Sequence, residues 1–251
     1  MVPVSEQYDV DDVGMDAAVE AVAAGRVVVL PTDTVYGIGA DPFSEDAVQA
    51  LLDAKHRGRD MPPPVLIAEP SMMRSLTAQV PAAAKELASA FWPGPLTLIL
   101  EAQRSADLHL GETRGTVALR VPDHDATREF LRRCGPLAVS SANRSGEPPA
   151  TDVTSAREQL GDTVAVYLDG GPTPGPVPST IVDLSSEPDG LVVRVGVLSV
   201  EQLQEVVPSV RLHEPDEPDG DADTEQDETP EQNENGAAAA VPDEAPPEHD
   251  A

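Results

Sequence analysis

Short β-branched apolar runs alternate with stretches of helical spacing along the first 211 residues. Residues 27–30 (VVVL), 65–68, 96–100 (LTLIL), 117–121 and 137–140 are predicted as five strands, and 165–168, 180–184 and 191–195 as three more. Between them, residues 15–24, 45–57, 81–91, 124–133 and 153–160 repeat apolar positions every three to four residues, and 199–206 reads as a closing helix. This alternation predicts an α/β fold built as a single twisted mixed sheet. The later strands follow one another through short Gly/Pro links such as GGPTPGPVPS, which predicts antiparallel neighbours there. Beyond residue 211 the pattern stops: acids, Pro, Gln, Asn and an Ala run replace large apolar residues, too little buried surface to repay ordering. Residues 14–211 are therefore expected as the domain, 1–13 as an N-terminal extension and 212–251 as a disordered acidic tail, a solubilising extension or an interaction arm.

Charge narrows the function classes. The 251 residues carry 45 acids against 16 bases, and the last 40 hold 15 of those acids and no base. Such a surface repels phosphate everywhere except at a local positive patch, which excludes a broadly basic nucleic-acid binder. The single cysteine, Cys134, cannot form an internal disulfide. The five histidines (His56, His109, His124, His213 and His249) show no metal-ligand spacing, so no metal-binding residue is assigned. The acidic start is unlike a secretory signal, and no apolar run approaches the ~20 residues that span a bilayer. The expectation is a cytoplasmic protein without a membrane partner.

Candidate chemistry collects at predicted strand ends, where α/β sheets hold ligands. The first strand runs into PTDTVYGIG, whose Thr32, Thr34 and Tyr36 can hydrogen-bond a small polar ligand while Gly37 and Gly39 permit close approach; a structural turn is the other reading. Only two lysines occur, and Lys55 sits in KHRGR at a helix end. With Arg57, Arg59 and the brace of three prolines beyond, it resembles an anion clamp, although cations there also complement the helix dipole. Arg120, inside an apolar strand, needs a partner or a ligand. Ser141 and Asn143 lie in a second polar strand-end loop, SSANRSG, without the elbow of a hydrolytic serine. Ser179 opens one late strand and Arg194 closes the next. Trp92, in FWPGPLT, reads as a packing corner.

Taken in order, PTDTVYGIGA, Lys55-x-Arg57, FWPGPLT, VALRVP, SSANRSG and PSTIVDL followed by Arg194 resemble the YrdC-like family over roughly residues 14–207. The resemblance, to the short form without an additional C-terminal domain, implies a YrdC-like α/β domain with a concave, locally positive cleft. It implies an enzyme, a nucleotidyltransferase, that joins L-threonine, bicarbonate or CO2 and ATP into threonylcarbamoyl-AMP and pyrophosphate, with Mg2+ accompanying ATP. The product is expected to pass to a tRNA threonylcarbamoyl-transferase complex, so tRNA is involved indirectly. Position by position, Lys55 and Arg57 are the expected catalytic pair on bicarbonate and phosphate. Thr34, Arg120 and Ser179 match threonine contacts. Arg57, Thr116 by its backbone, Ser141, Asn143 and Arg194 match the ATP side.

Three departures stand out. Gly58 replaces a frequent proline, Leu66 lies in the stretch where a histidine is frequent, and Pro149 replaces a frequent serine. They bear on fine substrate contacts and leave the reaction class unchanged. The competing reading is a non-catalytic RNA-binding module using the same cleft, which would bind RNA with a steep salt dependence. A carbamoyl-transfer domain of the hydrogenase-maturation type shares the fold but brings zinc-finger cysteines that this chain lacks.

Overall fold

The structure, a computed structural model, describes residues 5–187 and 189–213. Its strands are β1 (Glu6–Asp9), β2 (Val28–Leu30), β3 (Gly37–Ala40), β4 (Val65–Leu66), β5 (Leu96–Glu101), β6 (Thr116–Arg120), β7 (Leu137–Ser141), β8 (Val166–Asp169), β9 (Thr180–Asp183), β10 (Leu191–Arg194) and β11 (Arg211–Leu212). They form one mixed sheet in the order β1-β8-β2-β3-β7-β4-β6-β5-β9-β10-β11. The helices are α1 (Asp12–Ala23), α2 (Glu45–Lys55), α3 (Met73–Leu76), α4 (Ala82–Phe91), α5 (Asp125–Cys134), α6 (Val153–Leu160) and α7 (Val200–Gln204). Asp11, Ser44, Asp152 and Ser199 cap α1, α2, α6 and α7 through side-chain oxygens, satisfying orphan amides at those starts.

The register assigns every strand residue to a face, because partners opposite one another point the same way. One face carries Leu96, Leu98, Leu100, Val117, Leu119 and Val182 into the larger core, with residues of α2, α4, α6 and α7. On the opposite face, Val28, Leu30, Leu137 and Val139 pack under α1 and α5 with Ala18, Val22, Phe130 and Leu131. The same face continues through Arg120, Ala118 and Thr116 of β6, Thr97 and Ile99 of β5, Ile181 of β9 and Arg194 of β10. Neither α1 nor α5 contributes to the packing there. A cleft results on the half of the sheet that those helices leave uncovered.

Several sequence expectations change. Gly37–Ala40 is a strand, not a turn, and closes an antiparallel hairpin with β2, with Gly37 itself lining the cleft. Its glycines make room for the neighbouring strand: a Cβ on Gly37 would stand 2.6 Å from Val139 Cγ1, and one on Gly39 2.4 Å from Leu137 Cδ2. The GGPTPGPVPS link does not join paired neighbours, since β8 lies between β1 and β2 while β9 pairs with β5; only β9 and β10 form the expected late antiparallel pair. The sheet also extends past the expected domain boundaries. Glu6–Asp9, placed in the N-terminal extension, pairs parallel with β8, and Leu212 pairs with Val192. His213 follows, its N donating to Val192 O at 3.0 Å, and residues 214–251 of the expected acidic tail lie outside the described residues. Among the described residues, no helix is long and apolar enough to cross a membrane.

Candidate active site

A cavity of about 430 Å³ occupies the cleft, within the size range of small-molecule sites. Its wall takes Thr32 and Thr34 from the β2–β3 turn, Arg57 and Pro62–Pro64 from the segment between α2 and β4, and Ser140 and Ser141 from β7. Thr97, Ile99, Thr116, Ala118, Arg120, Ser179, Ile181 and Arg194 complete the sheet side. Three arginines thus reach one cavity whose wall, among the described residues, contains no Asp or Glu.

Arg120 is held from three sides. Its Nε donates to Gly94 O at 3.0 Å, Nη1 to Thr34 Oγ1 at 3.0 Å and Nη2 to Asp33 Oδ1 at 2.6 Å. The FWPGPLT corner explains the first bond. Trp92 is buried and ties its Nε1 to Leu96 O at 2.7 Å, and Gly94 N reaches Val121 O at 2.8 Å, so the Gly94 carbonyl is fixed. Burial pulls the Arg120 pKa below the ordinary arginine value, and Asp33 opposes that pull. Two of five guanidinium N–H groups remain beyond these bonds.

Lys55 and Arg57 part company at His56, whose left-handed backbone, φ 53°, ends α2. Lys55, only 2% exposed, turns inward and donates to the carbonyls of Ser141 and Asn143. Arg57 turns to the cavity, where Nη1 donates to Ser140 Oγ at 3.0 Å and the buried Nε has no partner among the described residues. Burial and the neighbouring Arg57 lower the Lys55 pKa to about 8. Arg59 takes no part: it pairs with Glu45 at 3.1 Å and bonds Gln49 at 3.0 Å on the outside of α2. The expected three-cation clamp reduces to Arg57 at the wall with Lys55 behind it.

On the far wall, Arg194 Nε and Nη2 both donate to Ser179 O, at 3.1 and 2.9 Å, and Nη2 also reaches Ser179 Oγ at 3.1 Å. Ser179 Oγ shares a 2.8 Å hydrogen bond with Thr97 Oγ1. Burial lowers the Arg194 pKa first, followed by the positive charges of Arg120 and Arg57. Arg194 therefore feels both other guanidiniums, and an anion beside it relieves that repulsion. Thr116 lines the cavity while its hydroxyl donates to Thr113 O at 2.8 Å.

Of the expected site residues, Thr34, Arg57, Thr116, Arg120, Ser141, Ser179 and Arg194 share the cavity wall, whereas Lys55 and Asn143 stand behind it. Leu66 and Pro149 lie on the wall. Sequence reasoning missed Asp33, Ser140 and Thr97, the partners of Arg120, Arg57 and Ser179. The adjacency of Asp33 to Thr34 was the available signal, since a buried arginine requires an acid. Among the described residues, no three His, Cys, Asp or Glu side chains converge to hold a metal ion.

The Sua5/YciO/YrdC family pattern, described as "Telomere recombination", matches residues 20–196. A Mycobacterium tuberculosis protein provisionally named threonylcarbamoyl-AMP synthase is 52% identical over 194 residues, covering 77% of this chain and 89% of the relative. The threonylcarbamoyl-AMP synthase of Bacillus subtilis is 37% identical over 214 residues, 84% of this chain and 61% of that protein. The crystal structure of Pyrococcus abyssi Sua5 complexed with L-threonine superposes with a TM-score of 0.77 at 32% identity, covering 84% of this chain and 62% of that one. With the family pattern spanning most of the domain, and the overall fold superposing on that of a solved member, the chain belongs to the Sua5/YciO/YrdC family.

Proposed function

We propose that this chain is an L-threonylcarbamoyladenylate synthase, a transferase of the nucleotidyl class that converts L-threonine, bicarbonate or CO2 and ATP into threonylcarbamoyl-AMP and pyrophosphate. The observation that carries the reading is three arginines and, among the described residues, no carboxylate on the wall of one cavity, in a chain with a net charge of −29. A site that gathers a carboxylate, bicarbonate and a triphosphate needs that local inversion of charge. The names of the relatives in Bacillus subtilis and Pyrococcus abyssi support the same activity, and no observation favours the RNA-binding alternative.

In this reading, the two uncommitted N–H groups of Arg120 take the threonine carboxylate, with Thr34 and Ser179 beside it. Arg57, Ser141, Thr116 and Arg194 receive the nucleotide phosphates. The unprotonated threonine nitrogen adds to the carbon of CO2, releasing one proton, or to that of bicarbonate, whose hydroxyl leaves with that same proton as water. A carbamate oxygen then attacks the α-phosphorus, and the bond to the pyrophosphate oxygen breaks with its electron pair leaving on pyrophosphate. No covalent enzyme intermediate is required. The protein contributes alignment and charge neutralisation. Among the described residues no carboxylate or histidine cluster offers a cage for Mg2+, so an ion accompanying ATP would be held through the phosphates and would supply charge neutralisation there. We place the reaction in the cytoplasm, with the product passing to a tRNA threonylcarbamoyl-transferase complex.

The test is pyrophosphate release with ATP, Mg2+, labelled bicarbonate and threonine. Release that requires threonine, together with label in a threonine- and AMP-containing product, is expected. Equal release without threonine overturns the proposal.

A further inference from the structure

We propose that Lys55 and Asn143 are positioning residues that frame the Ser141–Glu147 loop from behind the cavity wall and do not touch substrate. The argument is a donor count. An ammonium has three hydrogens, and Lys55 Nζ has three acceptors: Ser141 O, Asn143 O at 2.6 Å and Asn143 Oδ1 at 3.4 Å. The two Nδ2 hydrogens of Asn143 are taken by Arg144 O at 2.9 Å and Glu147 O at 2.7 Å. The donors of both side chains are thus all directed to the loop and its residues.

The backbone closes the same frame. Ser145 N donates to Lys55 O at 2.9 Å, Ala142 N to Tyr36 O at 2.8 Å and Asn143 N to Ser141 O at 2.9 Å. A turn this tight aims two carbonyls and an amide oxygen inward, and their partial negative charges oppose one another unless a cation gathers them. Lysine suits the position because its three donors fan out from one point, whereas a guanidinium is a planar fork. Lys55 is 2% and Asn143 7% exposed, and neither contributes to the wall formed by Arg57, Ser140 and Ser141. The charge still reaches the cavity through the low-dielectric interior. Its contact role is to fix where Ser141 stands.

This inference rests on the synthase reading only for its activity arm. The experiment compares wild type with Lys55→Met and Asn143→Ala by amide hydrogen exchange without ligand and by threonine-dependent pyrophosphate release. Exchange at Ala142–Ser145 is expected to quicken at least tenfold in both variants, and turnover to fall at least tenfold. Lost turnover with unchanged loop exchange would overturn the frame and put the ammonium on substrate. If neither variant folds, the wild type decides by acetylation with an N-hydroxysuccinimide ester. Its only lysines are Lys55 and the exposed Lys85, which serves as internal reference. Lys55 is expected to react at least tenfold more slowly than Lys85, at a rate ATP changes less than twofold; tenfold protection by ATP would overturn the proposal. Wild type without threonine-dependent release would sink the synthase reading alone, since exchange and acetylation judge the frame independently.

Discussion

Replacing Arg120 by methionine removes the cation that neutralises Asp33, and the structure sets the size of the effect. The Arg120 and Asp33 side chains are 8% and 12% exposed and meet at 2.6 Å, so water does little to screen the carboxylate left behind. Breaking a buried pair from one side costs about 3–5 kcal/mol, mostly the penalty of the uncompensated charge. Gly94 O loses a donor as well, whereas Thr34 keeps its 3.1 Å contact with Thr32 Oγ1. Arg120→Met is therefore expected to lower the unfolding free energy by about 3–5 kcal/mol, measured by urea titration with far-UV circular dichroism. The double variant Arg120→Met/Asp33→Asn removes the stranded charge and is expected to recover at least about 1 kcal/mol, since coupled neighbours depart from additivity. A double variant as unstable as the sum of the two single losses would refute the reasoning, because Asp33 would then carry no uncompensated charge.

Arg57→Ala is expected to keep the far-UV spectrum and lose at least tenfold in threonine-dependent turnover. Its guanidinium faces the cavity and, among the described residues, bonds only to Ser140; unfolding of the variant would point to a structural role. Gly37→Ala drives a methyl to 2.6 Å from the stiff Val139 side chain, so a loss of about 1–3 kcal/mol is expected, and an unchanged urea midpoint would contradict the close approach of β3 and β7. Lys55 gives a pH signature. Its folded pKa of about 8 lies below the unfolded 10.5, so across that window the unfolded chain binds more protons and this group's contribution to stability rises with pH. Wild type should gain Tm relative to Lys55→Met between these values, and parallel Tm curves would contradict the burial.

The chemistry was legible in the sequence where a residue's surroundings are local. Arg120 inside VALRVP announces a buried charge, and Lys55 ahead of Arg57 at a helix end announces concentrated positive charge, because apolar neighbours and helical spacing are short-range properties. Strands such as LTLIL were legible for the same reason: alternation over five residues already separates two faces. Gly37–Ala40 was not, because two glycines in four residues argue against a strand. Only the side chains of Leu137 and Val139, a hundred residues away, require bare backbone there.

By itself, the sequence determined the α/β class, most strand and helix positions, the family resemblance and the kinds of groups available for chemistry. The tertiary structure decided which of those groups meet. Register across β6, β5, β9 and β10 turns Thr116, Arg120, Thr97, Ile181 and Arg194 to one uncovered face, and the left-handed His56 sends Lys55 inward while Arg57 enters the cavity. The partners Asp33, Thr97 and the Ser141 and Asn143 carbonyls were beyond the reach of local pattern. Each lies 82 or more residues from the side chain it holds, and such a distance closes only when strands far apart along the chain become neighbours in the sheet.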